Sequence, residues 1–317
     1  VQGVARFDSG EPSGELQEFA AMFPIARLTG NIFRVAGTTE RSLRLFGQIA
    51  QLAGVTTATD LVNDLSDENA QVLQKVTAEA DFPVRLVPAY IGLDGTMSRD
   101  AGAARVTSRA AANTDKLHFG LVKIVTDGSI QGFTARVRWP GYYNGHENGI
   151  WIQPPAELKA TIAHFHAAGF QLHIHTNGDE ATELALDGIE AALAAHPRAD
   201  HRHTLQHCQM ADAAQFRRMS KLGICANLFA NHIYYWGDAH HALTMGPDRA
   251  ERMDACATAL AHGVPLAIHS DAPITPLGPM FTAWCAVNRL TSSGRVLGAS
   301  ERIPVADALR AITLGAA

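Results

Sequence analysis

Four residues stand out for the chemistry their types and spacing could perform together: Lys123, His175, His207 and Asp271. Lys123 sits inside Leu-Val-Lys-Ile-Val, a run that reads as a strand buried on both faces. An ammonium there is costly unless it is paired or chemically changed. It could snorkel to the surface or pair with Asp127, which shares its face by strand alternation. The alternative is a lysine carboxylated by CO₂. Burial favours the neutral amine that reaction needs, and the resulting carbamate is an anionic oxygen ligand able to bridge two divalent metals.

His173 and His175 are two residues apart, so strand periodicity aims both imidazoles at one side. His175 lies nearer the strand's C-terminal end and is the better ligand; His173 is expected one layer deeper. The next strand places His201, His203, Leu205, His207 and Gln209 on one expected face. His207 is at its end, and His203 is expected lower down in a structural role. The last strand gives Ala267, His269 and Asp271, with His269 expected to pack. A carboxylate closing a strand can bind a metal and accept a proton from water, or merely cap the turn before Ala272-Pro273. Each signal alone is weak, but four at successive strand ends can converge on one point.

The elements that must position them repeat along the chain. Seven times a helix ends, often at Gly, and a short apolar strand with polar residues at its far end follows: residues 55–60, 84–90, 121–128, 170–179, 202–209, 224–229 and 264–271. Pro154-Pro155 opens one intervening helix, with Leu158, Ile162 and Phe165 on one face. A second carries Leu186, Ile189 and Leu193. Asp212 caps a third, with Phe216, Met219 and Leu222 inward and Gly223 as its stop. Alternating strands and helices imply a parallel α/β sheet, either an open doubly wound sheet or a (β/α)8 TIM-like barrel. Polar residues at so many strand C-termini favour the barrel, and no phosphate-binding Gly loop favours the open sheet. Seven strands are visible where a closed barrel has eight. Residues 1–50 read as a loop-rich partial extension, and 51–317 as the barrel, strands two to eight.

Composition fits an enzyme of this kind. With 317 residues, 47% hydrophobic and 18% charged, the chain can bury a large core. A net charge of −5 and the lack of any basic run argue against a nucleic-acid partner. No apolar run is long enough to span a membrane. Cys208, Cys225, Cys256 and Cys285 include no CxxC pair and are expected to be free and buried. A cytoplasmic location is the expectation, although the cysteines alone do not separate it from an exported one.

The motifs Val122-Lys-Ile-Val-Thr-Asp-Gly-Ser129, His175-Thr-Asn-Gly-Asp-Glu-Ala181, Arg202-His-Thr-Leu-Gln-His207 and Ser270-Asp-Ala-Pro273 resemble the amidohydrolase superfamily, and within it the YtcJ-like metal-dependent hydrolases of amidohydrolase family 3. Asp8-Ser-Gly-Glu-Pro-Ser-Gly14 with Glu18, and the helix from Ala308 to Thr313, agree with it, so the resemblance covers nearly the whole chain. It implies a distorted barrel with one or two divalent ions, of which zinc is the expectation. Lys123 would be the bridging carbamate, His175 and His207 would bind the second metal, and Asp271 would bind the first and shuttle protons. Such relatives hydrolyse C–N bonds of amides and N-formyl compounds. The pattern's first-strand His-x-His does not precede Lys123, and the flanking β-sandwich is absent, so the chain reads as a central segment.

The expected function is therefore hydrolysis of a non-peptide C–N bond in a small molecule. Two alternatives are a non-catalytic regulator on the same scaffold and an esterase, lactonase or phosphotriesterase at the same site. Phe229, Tyr234, Tyr235 and Trp236 could wall an apolar substrate pocket or simply pack. A sheet with two unpaired edges is expected to associate, so a homo-oligomer is a further expectation.

Overall fold

A computed structural model describes residues 3–28, 39–92 and 97–317. All seven expected strands form, as one parallel sheet: β3 (Thr57–Asn63), β4 (Arg85–Ile91), β5 (Leu121–Val125), β6 (Gln171–Thr176), β7 (Thr204–His207), β8 (Cys225–Leu228) and β9 (Leu266–Ile268). They pair strictly in chain order. Each crossover carries at least one helix, as parallel neighbours require. Residues at the C-terminal ends of both edge strands, Leu61 and Val62 in the last residues of one and Asp271 and Ile274 after the other, line one cavity. The sheet is thus curled into an incomplete barrel of TIM type, open between β3 and β9.

The helices form where apolar spacing and caps agree. The helix Pro155–Ala167 follows a Pro-Pro start and buries Leu158, Ile162 and Phe165 completely. The helix Asp179–Ala195 buries Leu186 and Ile189. Asp212 closes a capping box with Gln215 at the start of Ala213–Leu222, and Gly223 ends that helix at φ +70°. The outward strand residues Val122, Ile124, Leu172, Ile174, Leu205, Ala226, Leu228 and Ile268 join these helix faces in the main core.

The described residues among the first fifty include regular elements besides loops. A hairpin pairs β1 (Val4–Arg6) with β2 (Pro12–Leu16). Helices Glu18–Leu28 and Glu40–Leu52 follow, the second begun by a Thr39–Ser42 capping box. Polar Asp8-Ser-Gly-Glu concealed the hairpin because it is the turn rather than a coil. All four cysteines are free, and Cys225 is only partly buried, against expectation. Among the described residues no helix is long and apolar enough to cross a membrane.

Candidate active site

At the C-terminal mouth of the sheet lies a cavity of about 290 Å³ whose lining includes Lys123, His175, His207 and Asp271. The four residues singled out in the sequence therefore meet. Lys123 pairs in register with His173 on β6, one pleat below His175. Both Lys123 and His175 line the one cavity. Lys123 is 4% exposed. Its ammonium has no hydrogen-bond or ion-pair partner among the described residues. Burial pushes its pKa down to about 8, opposed only by the Asp271 charge.

His175 and His207 have ring centroids 4.6 Å apart. The His175 Nε2 lies 3.1 Å from the Gly128 carbonyl. That carbonyl also takes the Asn177 amide at 2.7 Å, and Asp127 Oδ1 lies 3.4 Å from His175 Nε2. Carbonyl and carboxylate are both acceptors, so a hydrogen on Nε2 leaves the Nδ1 lone pair available. Ligand atoms of His207, His269 and Asp271 lie within 4.8 Å of one another. This brings His269 closer to the chemistry than a packing residue would be.

Strand alternation fails at His207, and the structure shows why. Gln206, not Leu205, points into the barrel, where its Nε2 donates to His173 Nδ1 (2.7 Å) and its Oε1 accepts from Asn227 Nδ2 (2.8 Å). Leu205 therefore faces the helices, and His207 should too. It does not, because its backbone is left-handed at φ +71°, which turns the side chain back toward the cavity. Asp271 is also left-handed, at φ +52°. Two non-glycine residues in this region at one site mark stored backbone strain. His203 lies on the helix side of the sheet rather than in a layer under the site. Its Nδ1 accepts from Leu172 N, and its Nε2 meets His166 Nδ1 of the Pro155–Ala167 helix.

A polar chain under the cavity fixes the protons. Asn227 Oδ1 is 3.2 Å from His269 Nδ1, and His269 Nε2 is 2.9 Å from His207 Nδ1. Because the Asn227 Nδ2 bond to Gln206 turns the amide oxygen toward His269, that oxygen accepts from His269 Nδ1–H. His269 Nε2 must then accept from His207 Nδ1–H, leaving a lone pair on His207 Nε2. Burial holds all three imidazoles neutral: His173 falls to about 3, His269 to about 4, and His207 well below its ordinary value. His269 thus uses its free nitrogen to orient His207. Gln206 and Asn227 were missed in the sequence because nothing local marks them; they matter only through partners on three strands.

Asp127 is fully buried yet performs a structural task. Its carboxylate accepts the backbone N–H groups of Asn177 (3.1 Å), Gly178 (2.9 Å) and Arg136 (2.9 Å). It ties the loop after β5 to the start of the Asp179–Ala195 helix, does not pair with Lys123, and places Oδ1 3.4 Å from His175 Nε2.

The aromatic residues do not wall this cavity. Phe229 stacks on His269 at 5.0 Å, and Trp236 stacks on His232 at 4.4 Å. Tyr234 packs edge-on against Phe281. The apolar walls are Leu61, Val62, Val125 and Ile274, joined by Glu18 from the amino-terminal segment.

A profile of the amidohydrolase family matches residues 2–317. The chain belongs to the amidohydrolase family. The chain is 30% identical over 208 residues to a protein named putative amidohydrolase YtcJ from Bacillus subtilis, an alignment covering 63% of this chain and 38% of that one. It is 24% identical to the N-substituted formamide deformylase of Arthrobacter pascens, covering 99% of this chain and 57% of the relative. The chain thus spans well under two thirds of these relatives' lengths. Its fold matches the crystal structure of an uncharacterized metal-dependent hydrolase from Pyrococcus horikoshii with a TM-score of 0.74, at 18% identity over 98% of this chain and 61% of that one.

Proposed function

We propose that this amidohydrolase cleaves a non-peptide C–N bond, of amide or N-formyl type, in a small molecule with the help of a divalent metal. The observation that carries the reading is Lys123: a buried, unpaired amine with a depressed pKa, sharing one cavity with two histidines and an aspartate. The similarity to a formamide deformylase supports the bond type.

The donor set fits one or two divalent ions. Lys123, His175, His207 and Asp271 would hold them, with zinc suited to neutral imidazole and carboxylate ligands. Lys123 would join as its carbamate: the neutral amine attacks CO₂, a C–N bond forms, and the amine proton leaves to solvent. When bound, the metal would polarise the scissile carbonyl and lower the pKa of water from 15.7 to roughly 7. The protein's own groups do the rest. His207 Nε2 and His175 Nδ1 present lone pairs fixed by their hydrogen-bonded partners. Asp271 takes the proton from the attacking water and passes it to the nitrogen as the C–N bond breaks, releasing amine and acid.

The test is metal analysis of the purified chain together with a substrate panel. Divalent metal near stoichiometry, lost in Lys123→Met, and turnover of N-substituted formamides are expected. Turnover of lactones or phosphotriesters without amides would move the assignment to an esterase. A metal-free protein unable to take up zinc, manganese or iron would refute it.

A further inference from the structure

We infer that Glu18 is a specificity residue that selects substrates carrying a cationic amine beside the scissile amide. This rests on the proposed reading of the cavity as the substrate site. Glu18 comes from the segment before the barrel, yet its side chain lines the cavity together with Lys123 and His175.

Several local features hold it there. Its Oε1 accepts from the Thr134 hydroxyl at 2.6 Å. The same Thr134 oxygen accepts the Ser129 backbone N–H at 2.9 Å, which fixes the hydroxyl's direction. Thr134 is 3% exposed, so the anchor is rigid. Position 128 must be glycine, because any Cβ would collide with both Glu18 Oε1 and Thr134 Oγ1. Glu18 itself sits at φ +66°, a conformation an L-residue adopts only where its surroundings enforce it. Gly128 also supplies the carbonyl that holds His175 Nε2, so one residue separates this carboxylate from a proposed metal ligand.

Glu18 Oε2 accepts no hydrogen bond from any described residue. Three carboxylates line the cavity, Glu18, Asp127 and Asp271. Asp127 is saturated by three backbone donors, and Asp271 belongs to the proposed chemistry. Glu18 is therefore the carboxylate left to read the substrate. An ammonium matches it, since it donates several charge-assisted hydrogen bonds. The apolar walls Val62 and Ile274 would cover the methylenes between that ammonium and the amide.

Calorimetric titration of the full chain, stripped of metal by chelation, provides the test. The probes are N-(3-aminopropyl)formamide and its neutral isostere N-butylformamide. The cationic probe is expected to bind about tenfold more tightly, a difference of about 1.4 kcal/mol. Added salt should narrow the gap, and Glu18→Gln should abolish it while leaving the neutral probe's affinity unchanged. No measurable binding of the cationic probe, equal binding of the two, or a preference surviving in Glu18→Gln would overturn the inference. If Glu18→Gln fails to fold, the wild-type ratio and its salt dependence decide. Failure of the metal-loaded protein to hydrolyse either compound would count against the hydrolase reading alone, because the binding ratio is read without turnover.

Discussion

Replacing Asn227 with leucine cuts the polar chain beneath the site at its middle. Two groups lose partners at once: Gln206 Oε1 loses a donor, and His269 Nδ1–H loses its acceptor. An unsatisfied buried group costs about 1–3 kcal/mol. Gln206 is buried and its orphaned oxygen takes the upper end, whereas His269 is partly buried and takes the lower, so the total is roughly 4 kcal/mol. The larger consequence is tautomeric. With Asn227 Oδ1 gone, His269 can carry its hydrogen on Nε2 and donate to His207 Nδ1. That moves the His207 hydrogen to Nε2 and removes the lone pair proposed to bind metal. Losing such an orienting partner costs about 10–100-fold in metal affinity. Two assays follow. Long-range ¹⁵N–¹H spectra of the metal-free protein should show His207 as the Nδ1–H tautomer, and a tautomeric mixture in Asn227→Leu. Competition against a chromophoric chelator should show the affinity loss, with Asn227→Asp restoring much of it through its acceptor oxygen. A wild-type His207 with its hydrogen on Nε2, or unchanged metal affinity in Asn227→Leu, would refute the chain of reasoning.

Other outcomes are as specific. Burial drives His203 down to about 2, while the unfolded imidazole titrates near 6.5. Below pH 6.5 the unfolded chain binds the extra proton, so stability falls as pH falls. The contribution of His203 at pH 5 is a loss of about 2 kcal/mol. Denaturant titrations of wild type and His203→Gln should therefore differ by that much less at pH 5 than at pH 7; an unchanged difference would contradict a neutral His203. Gly178→Ala drives a methyl into the Arg136 backbone carbonyl, where neither chain can yield, and should cost several kcal/mol or prevent folding. A variant melting within a degree of wild type would show that this loop adapts. Asp127→Asn sets an amide against one of three backbone donors and should destabilise by about 1–3 kcal/mol, with a smaller effect on metal affinity through His175 Nε2, which lies 3.4 Å from its Oδ1. Metal affinity falling as far as stability would instead place Asp127 in the chemistry.

Much of this protein is legible in its sequence, because the signals are local. Strands β5 and β6 are short apolar runs after glycines, and period-two alternation put Lys123, His173 and His175 on the correct side. The Pro154-Pro155 start and the Asp212 cap define helix ends by local hydrogen bonding and fixed dihedrals. The parallel α/β class follows from the repeat itself.

Tertiary structure decided whatever depended on a single backbone rotation or on distant partners. Alternation predicts that Leu205 and His207 share a face, but the left-handed turn at residue 207 breaks the rule, and sequence carries no mark of it. The tautomer of His207 is set by Asn227 and His269 on neighbouring strands, and a proton's position is not a property of any one residue. Glu18 reaches the cavity because Gly128 leaves room and Thr134 supplies a hydroxyl, more than a hundred residues away. Spacing along the chain fixes which side chains can meet. The field, the hydrogen bonds and the strain at the meeting point are long-range quantities, and they exist only once the sheet has curled.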